Sequence, residues 1–170
     1  MAPDIADSRR EGAAIDPRTL ERIVRSALRE DIGRGDLTSL FTIPPGVNAR
    51  GILLAKQDGV MAGGQVVAEC FLQNEPGCSL SEMLPDGERF SDGDHIGRIE
   101  GTARGLLGAE RVALNFLQRL CGVATLTRMF ADELEGTGAE VTDTRKTTPG
   151  LRALEKAAVV AGGGSNHRFA

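Results

Sequence analysis

The chain has 170 residues, of which 41% are hydrophobic and 26% are charged, and its formal net charge is −4. This composition predicts a soluble globular protein of one or two domains, and no apolar run is long enough to span a bilayer. Because Trp and Tyr are absent, the sequence offers few platforms on which single-stranded nucleic acid can stack, so we expect no nucleic-acid partner. We expect no membrane partner, because a long apolar run is lacking.

Residues 1–16 are predicted to be a loose polar leader, since they contain no apolar segment of the secretory type. A helix is expected to begin at Asp16-Pro17, where an acidic N-cap precedes proline at the first helical position. Apolar residues then recur at helical spacing to about Glu30. Gly33 ends this helix, and Asp36 is expected to cap the next segment.

Residues 17–105 are predicted to form an N-terminal α/β domain with short antiparallel strands. Residues 74–87 are rich in proline and glycine, which predicts turns. Residues 91–94 are expected to form the turn of a hairpin, with His95 on the surface. The predicted strands and the further helix of this part cover 49–56, 59–62, 65–72 and 95–100.

Residues 106–136 are predicted to be bridging helices that join this domain to the rest of the chain. Apolar residues recur at helical spacing from Leu106 onward. An interruption is expected near Gly122, and Gly136 ends the pattern because glycine favours helix termination.

Residues 137–170 are predicted to form the first β-α step of a parallel or barrel fold. A short strand at 139–142 is followed by a helix that is expected to begin at Thr148-Pro149 and to run to about Ala161. Three glycines end the helix, and the next strand begins at Ser165. The predicted fold class is therefore α/β, with a mixed N-terminal part followed by this first β-α step.

Two basic pairs, Arg145-Lys146 and His167-Arg168, flank the last predicted helix. Residues 144–170 carry five Lys or Arg and one acidic residue, a net charge of +4, so residues 1–143 carry −8. One β-α step returns the next strand beside the first, and functional groups collect at the carboxyl ends of such strands. We therefore expect the two pairs to lie close together and to bind a small anion with several charges.

Structural interpretations of these residues stay open at this point. Adjacent cations at a strand end are often simply solvated, an isolated histidine such as His167 is often hydrogen-bonded within the fold, and Arg111 fits a surface arginine. The glycines at 162–164 follow a helix, whereas phosphate-binding loops precede one, so they predict a cap and turn. No zinc-ligand spacing of His, Cys, Asp or Glu is present.

Three motifs resemble the signature of the quinolinate phosphoribosyltransferase family, also called nicotinate-nucleotide pyrophosphorylase (carboxylating). They read DTRKTTPGLR with GGGSNHR at 143–152 and 162–168, EDIGRGDLT at 30–38, and ERVALNFLQR at 110–119. The resemblance implies an open, hammerhead-like N-terminal α/β domain followed by an α/β barrel catalytic domain, which is truncated here because residues 137–170 supply only its first β-α unit. It also implies an enzyme, a glycosyltransferase of NAD biosynthesis. Its reaction joins quinolinate to phosphoribosyl pyrophosphate with decarboxylation, giving nicotinate mononucleotide, carbon dioxide and pyrophosphate.

The resemblance also implies roles for single residues. The residues expected to bind quinolinate are Arg111, Thr144, Arg145, Lys146, His167 and Arg168. Lys146 and His167 are also expected to take part in catalysis. Arg111 is expected to reach the active site of a partner subunit, which implies a homodimer or a larger homo-oligomer. Magnesium is expected to accompany phosphoribosyl pyrophosphate, with its ligands beyond Ala170.

The family's chains are longer than this one, so the isolated chain is expected to be inactive or to need a second polypeptide. Two other functions stay open. One is a paralogous phosphoribosyltransferase-like protein with another anionic substrate. The other is a non-catalytic dimerisation or carrier-like fragment, because residues 90–101 resemble half of a biotinyl or lipoyl hammerhead and Lys56 lies near a predicted hairpin tip.

The cysteines indicate the compartment. Cys70, Cys78 and Cys121 form no C-x-x-C pair, and an odd number cannot all pair within the chain. They are expected to be free thiols in a reducing cytoplasm.

Overall fold

The computed structural model describes residues 15–168, so residues 1–14 of the predicted leader lie outside the described residues. Helices and strands are mixed, which confirms the predicted α/β class. In chain order the elements are α1 (Pro17–Ile32), α2 (Leu37–Thr42), β1 (Asn48–Leu54), β2 (Gly59–Val60), α3 (Gly64–Asn74), β3 (Ser79–Ser81), β4 (Arg89–Phe90), β5 (His95–Thr102), α4 (Ala103–Glu133) and α5 (Arg152–Ala161).

Helix α1 begins where the sequence predicts. The Asp16 carboxylate accepts a hydrogen bond from the Thr19 backbone N–H at 2.8 Å, and Pro17 occupies the first turn. The apolar face is buried in the core through Leu20, Ile23, Val24 and Leu28. Ile15 is buried as well, so the two described residues assigned to the leader, Ile15 and Asp16, belong to the folded part.

The break after α1 also forms as predicted. Gly33, at a φ of 54°, ends the helix in a backbone region that favours glycine. The Asp36 carboxylate then accepts from the Ser39 N–H at 3.1 Å and caps α2. Hydrogen bonds from Ser39 hold the pKa of Asp36 below its usual value.

The strands form two small antiparallel sheets, one with the order β1-β5-β3 and one with the order β2-β4. Strand β3 lies inside the segment that was predicted to be turns only. Three residues are too few for a period-2 pattern to be recognised in the sequence. The pairing of Leu80 with Ile99 in β5 holds the strand in place. Tertiary pairing, rather than local propensity, makes this segment a strand.

The predicted hairpin around residues 91–94 is wrong, because β4 pairs with β2 whereas β5 pairs with β1. The turn packs on the end of β1 instead. Ala55 N–H donates to the Asp94 carbonyl at 2.9 Å, and Gly93 N–H donates to the Ala55 carbonyl at 3.1 Å. His95 is exposed, as predicted.

Helix α4 is a single helix of 31 residues, so the interruption predicted near Gly122 is wrong. A glycine inside a helix costs only about 1 kcal/mol relative to alanine. Leu120, Cys121 and Ala124 beside it are buried and hold the helix against the core. Despite this length, no helix within residues 15–168 combines the length and the apolar character that crossing a membrane requires.

Helix α5 begins at Arg152 rather than at Thr148-Pro149, so the predicted N-cap is wrong. Residues 148–151 form a turn, in which the Leu151 N–H donates to the Thr148 carbonyl at 3.0 Å. Gly150 has a φ of 82°, which a right-handed helix cannot accommodate. The helix ends at Ala161, as predicted, and Gly163 has the φ of 90° that suits the expected turn.

Candidate active site

The segments that carry the two basic pairs lie side by side. Ser165 N–H donates to the Val141 carbonyl at 2.8 Å, and Asp143 N–H donates to the Ser165 carbonyl at 3.1 Å. These bonds form a parallel bridge between Thr142 and Ser165. The strands predicted on either side of α5 are thus reduced to one bridge, but its direction is the one that a β-α step requires.

The backbone ladder stops after this bridge, and side chains take its place. A regular parallel ladder would next join the His167 N–H to the Asp143 carbonyl and the Arg145 N–H to the His167 carbonyl. Instead, the His167 N–H donates to the Asp143 carboxylate at 2.9 Å, and Lys156 Nζ donates to the His167 carbonyl at 3.0 Å. Two side chains therefore hold both backbone polar groups of His167.

These two side chains also form a buried ion pair. Asp143 Oδ2 lies 2.5 Å from Lys156 Nζ, and the two side chains are 3% and 0% exposed. With its amide oriented to satisfy both neighbours, Asn166 donates to Asp143 Oδ2 at 2.5 Å and to the Lys156 carbonyl at 3.2 Å. Buried charges persist in folded proteins when they are paired and hydrogen-bonded, as they are here. We call Asp143, Lys156 and Asn166 the strand-end clamp.

The predicted quinolinate-binding residues of this region are all accessible. Thr144, Arg145 and Lys146 are exposed just after the bridge, and His167 and Arg168 are exposed on the neighbouring segment. Thr144 Oγ1 accepts from the Lys146 N–H at 3.1 Å, which tightens the loop. The structure therefore brings the two basic segments together at the strand ends, and the role of each side chain stays a prediction.

Arg152 supports the same loop, and the sequence interpretation missed it. Its guanidinium donates to the Arg145 carbonyl at 3.2 Å and to Thr147 Oγ1 at 3.4 Å. The first turn of α5 is thereby tied to the backbone that presents Arg145. The only sequence signal is a basic residue just inside the start of a helix, which is too common to single it out.

Arg111 lies apart from these residues, on helix α4. Its side chain is 73% exposed and its NH1 group lies 3.2 Å from Asp31 at the end of α1. Asn115 and Gln118 are exposed on the same side of α4, since they follow Arg111 by four and seven residues. Within one protomer, the structure does not bring Arg111 into hydrogen-bond contact with the other predicted site residues, all of which it describes.

Comparison with models of known protein families identifies the family of this chain. The family model described as quinolinate phosphoribosyl transferase, N-terminal domain, matches residues 36–121, and the corresponding C-terminal domain model matches residues 123–170. The chain belongs to the quinolinate phosphoribosyl transferase family. The two models meet inside helix α4, and the domain limits proposed at residues 105 and 136 stay predictions.

Curated relatives agree with this membership. Over 151 residues the chain is 44% identical to nicotinate-nucleotide pyrophosphorylase [carboxylating], chloroplastic, from Oryza sativa subsp. japonica, which covers 88% of this chain and 40% of the relative. Over 150 residues it is 42% identical to a probable nicotinate-nucleotide pyrophosphorylase [carboxylating] from Bacillus subtilis, covering 88% of this chain and 52% of the relative. The chain spans about half the length of the curated relatives it matches.

Solved structures confirm the fold. NadC from Streptococcus pyogenes matches with a TM-score of 0.88 and 39% identity, over 92% of this chain and 56% of that chain. The nicotinate-nucleotide pyrophosphorylase from Francisella tularensis matches with a TM-score of 0.87 and 30% identity, over the same shares of 92% and 56%. The fold of the family thus extends through the strand ends that carry the basic pairs.

Glu155 anchors the loop between the bridge and α5 in this family member, and the sequence interpretation missed it. Its carboxylate accepts from the Thr148 N–H at 3.1 Å, from Thr148 Oγ1 at 2.7 Å and from the Arg119 guanidinium at 2.8 Å. Burial raises the pKa of Glu155, but the hydrogen bonds from Thr148 and Arg119 outweigh it, so the net pKa lies below its usual value. Arg119 thereby ties α4 to this loop.

We expect Glu155 to make stability depend on pH. Because its folded pKa is lowered, the unfolded chain takes up the proton first, and the contribution is lost as the pH falls below about 4.5. Glu155→Gln should cost about 1–3 kcal/mol of unfolding free energy at pH 7, and the difference from the unaltered chain should shrink at pH 3.5. Urea denaturation at both pH values measures this, and a constant difference would contradict it.

The three cysteines are free and buried, which confirms the prediction of unpaired thiols. Burial raises the pKa of Cys70 to about 12, so this thiol is protonated at neutral pH. Burial also raises the pKa values of Cys78 and Cys121. Thiolates are the reactive form of cysteine, and these side chains therefore serve as small core residues.

The described residues contain no ready binding site for magnesium. Within residues 15–168, no group of three or more His, Cys, Asp or Glu side chains is placed to hold a metal ion. Magnesium prefers several carboxylate, phosphate and water oxygens in an octahedral arrangement. The described residues do not fit this requirement.

Proposed function

We propose that the protein containing this chain transfers the phosphoribosyl group of phosphoribosyl pyrophosphate to quinolinate and releases carbon dioxide. The observation that carries the proposal is the parallel bridge between Thr142 and Ser165, which sets the loop with Arg145 and Lys146 beside Arg168. Family membership supports the reaction, since relatives from rice and tobacco are named for it. The products are nicotinate mononucleotide and pyrophosphate, in the synthesis of NAD.

The proposed acceptor explains why cations collect at the strand ends. Quinolinate carries two carboxylates on adjacent ring carbons, and arginine pairs with a carboxylate through two parallel hydrogen bonds. Arg145, Lys146 and Arg168 are assigned to these carboxylates, and Thr144 and His167 add hydrogen bonds. Binding by several fixed donors orients the ring nitrogen toward the donor sugar, which is the main contribution that positioning makes to a transfer reaction.

The chemistry requires no covalent nucleophile from the protein. The bond between the ribose carbon and pyrophosphate breaks, the quinolinate ring nitrogen forms the new bond, and the ring becomes a pyridinium. This cation accepts the electron pair of the neighbouring carbon–carboxylate bond, carbon dioxide leaves, and the ring carbon takes a proton. Lys146 and His167 are assigned to this stage, where charge changes at the ring. Magnesium, with ligands beyond Ala170, would assist the departure of pyrophosphate from the donor.

Calorimetric titration of the full chain with quinolinate and with nicotinate tests the binding step. We expect quinolinate to bind at least tenfold more tightly, because nicotinate leaves part of the cationic group unpaired. Arg145→Ala and Arg168→Ala should each weaken quinolinate binding by about 10- to 100-fold. Arg50→Ala on β1, which removes the same charge from an exposed pair with Glu100, is the control. Equal affinity for both acids would favour a paralogue with another substrate.

We further propose a homodimer in which Arg111 of each subunit completes the site of the other. The exposed position of Arg111, beside Asn115 and Gln118 on one side of α4, supports this arrangement. The Arg111 side chain is exposed in its ion pair with Asp31. Replacing the Asp31 carboxylate by a substrate carboxylate therefore costs little free energy. The proposed compartment is the cytoplasm, where reducing conditions suit three free thiols.

Mixing two variants that each bind quinolinate poorly tests whether residues of both subunits form each active site. Equal amounts of Arg111→Ala and Arg168→Ala subunits should recover about one quarter of the quinolinate sites after exchange, because one site of each mixed dimer has both arginines. Titration of the mixture measures the number of sites. Recovery should be absent when either variant is titrated alone, and no recovery from a dimer that exchanges subunits would place Arg111 outside the site.

A further inference from the structure

The strand-end clamp is buried beside the proposed site, and none of the roles assigned so far uses it. We propose that Asp143, Lys156 and Asn166 are positioning residues that fix His167 and Arg168 relative to the loop carrying Arg145. The inference rests on the proposed function, since the residues that it positions are the proposed quinolinate ligands. It concerns residues that touch the backbone of the site rather than the substrate.

The first support is the replacement of backbone pairing by an ion pair. The His167 N–H and carbonyl, which a continuing ladder would join to the Asp143 carbonyl and the Arg145 N–H, are held at 2.9 and 3.0 Å by the Asp143 and Lys156 side chains. Side chains that stand between two backbones hold the segments further apart than the usual strand spacing of about 4.8 Å. The clamp therefore takes the place of backbone pairing directly after the bridge, at Asp143 and His167.

The second support is that the clamp fixes the direction of the His167 side chain. Its two bonds hold the N–H and the carbonyl of the same residue, on both sides of the His167 α-carbon. Fixing both groups fixes the direction in which the imidazole leaves the backbone, and it fixes the start of Arg168. Precise placement of this kind is what an active site needs from the residues behind it.

The third support is the chemistry of the clamp itself. Removing two charges from water is unfavourable, and apolar side chains of similar volume often stabilise a fold as well or better. Here the pair is nearly inaccessible, at 3% and 0% exposure, although backbone groups were available for the same hydrogen bonds. Asn166 adds a third partner to the carboxylate. Stability alone does not require such an arrangement, whereas positioning does.

The test separates position from stability. Lys156→Met breaks the pair, and the double variant Asp143→Asn with Lys156→Met removes both charges, so that it folds without an unpaired one. Each should weaken quinolinate binding at least tenfold in calorimetric titrations of the full chain, at a temperature where both are folded. Ile99→Ala, buried in the β1-β5-β3 sheet opposite Gly51 and Leu80, should lower the melting temperature without changing the Kd. A folded double variant with unchanged Kd would overturn the inference.

A readout without substrate distinguishes this inference from the proposed function. In the unaltered chain, the His167 amide should be protected from hydrogen exchange, and Asp143→Ala should accelerate its exchange at least tenfold in NMR spectra. Fast exchange in the unaltered chain would show that the clamp does not hold this peptide and would overturn the inference. A protected amide together with no quinolinate binding by the protein containing this chain would refute the proposed function, but it would leave the inference about the clamp intact.

Discussion

Replacing Lys156 by methionine is expected to lower the free energy of unfolding by about 3–5 kcal/mol at neutral pH. The variant leaves the Asp143 carboxylate buried, with 3% of its side chain exposed, and takes away its cation. It also takes the Lys156 donor from the His167 carbonyl. Both losses act in the same direction, because a buried polar group without its partner bears the full cost of desolvation. Urea denaturation of the full chain measures the change.

Two further variants are the controls for the Lys156→Met result. Lys56→Met makes the same chemical change at an exposed position of the turn after β1, and it should alter stability by no more than about 0.5 kcal/mol. Asp143→Leu combined with Lys156→Met should recover most of the loss, since no unpaired charge remains. A loss below about 1 kcal/mol for Lys156→Met alone would mean that the pair is solvated, contrary to the structure.

Two proline-containing N-cap patterns show how far local sequence predicts this fold. Asp16-Pro17 forms the cap that it predicts, because the carboxylate and its Thr19 partner lie within one turn. Thr148-Pro149 has the same signature and fails. Glu155, seven residues further on, takes the N–H and the hydroxyl of Thr148, and the intervening turn delays the helix to Arg152. The difference comes from a contact that spacing rules do not contain.

Strand pairing was the less predictable part of the fold. The strand predicted at residues 95–100 forms, yet nothing in the sequence indicates that its partner is β1, which lies more than 40 residues earlier in the chain, rather than the adjacent β4. Residues 91–94 predict a turn, and the structure uses that turn to contact Ala55. Pairing depends on long-range packing, whereas turns depend on the local backbone.

The candidate site divides in the same way. Charge patterning and one β-α step predicted that Arg145 and Arg168 belong to neighbouring segments, and the parallel bridge agrees. Nothing in the sequence marks Lys156 and Asp143 as buried, because a lysine in a short amphipathic helix and an acid before a basic pair are ordinarily solvent-exposed. Only the return of the second strand encloses them. The accessible residues of such a site are therefore visible in sequence, and the buried ones that hold them become visible in the fold.

Gly162→Ala is expected to destabilise the protein by about 3 kcal/mol, although glycine and alanine differ by one methyl group. A Cβ at this position would lie 2.4 Å from the Ala124 carbonyl oxygen and 2.6 Å from the Thr127 Cβ. The φ of Gly162 is −71°, which alanine adopts freely, so the whole effect is steric. Helix α5 would have to move away from α4, and the hydrogen bond of 2.9 Å from Arg128 to the Gly162 carbonyl would lengthen.

Gly122→Ala provides the opposite expectation within the same pair of helices. A Cβ at Gly122 meets nothing within 4 Å, and the residue lies inside the continuous helix α4. Alanine there should stabilise the protein by about 0.5–1 kcal/mol through its higher helix propensity. Thermal and urea denaturation of the two variants compare them directly. Equal effects of the two substitutions would show that α4 and α5 do not approach as closely as the Gly162 contacts require.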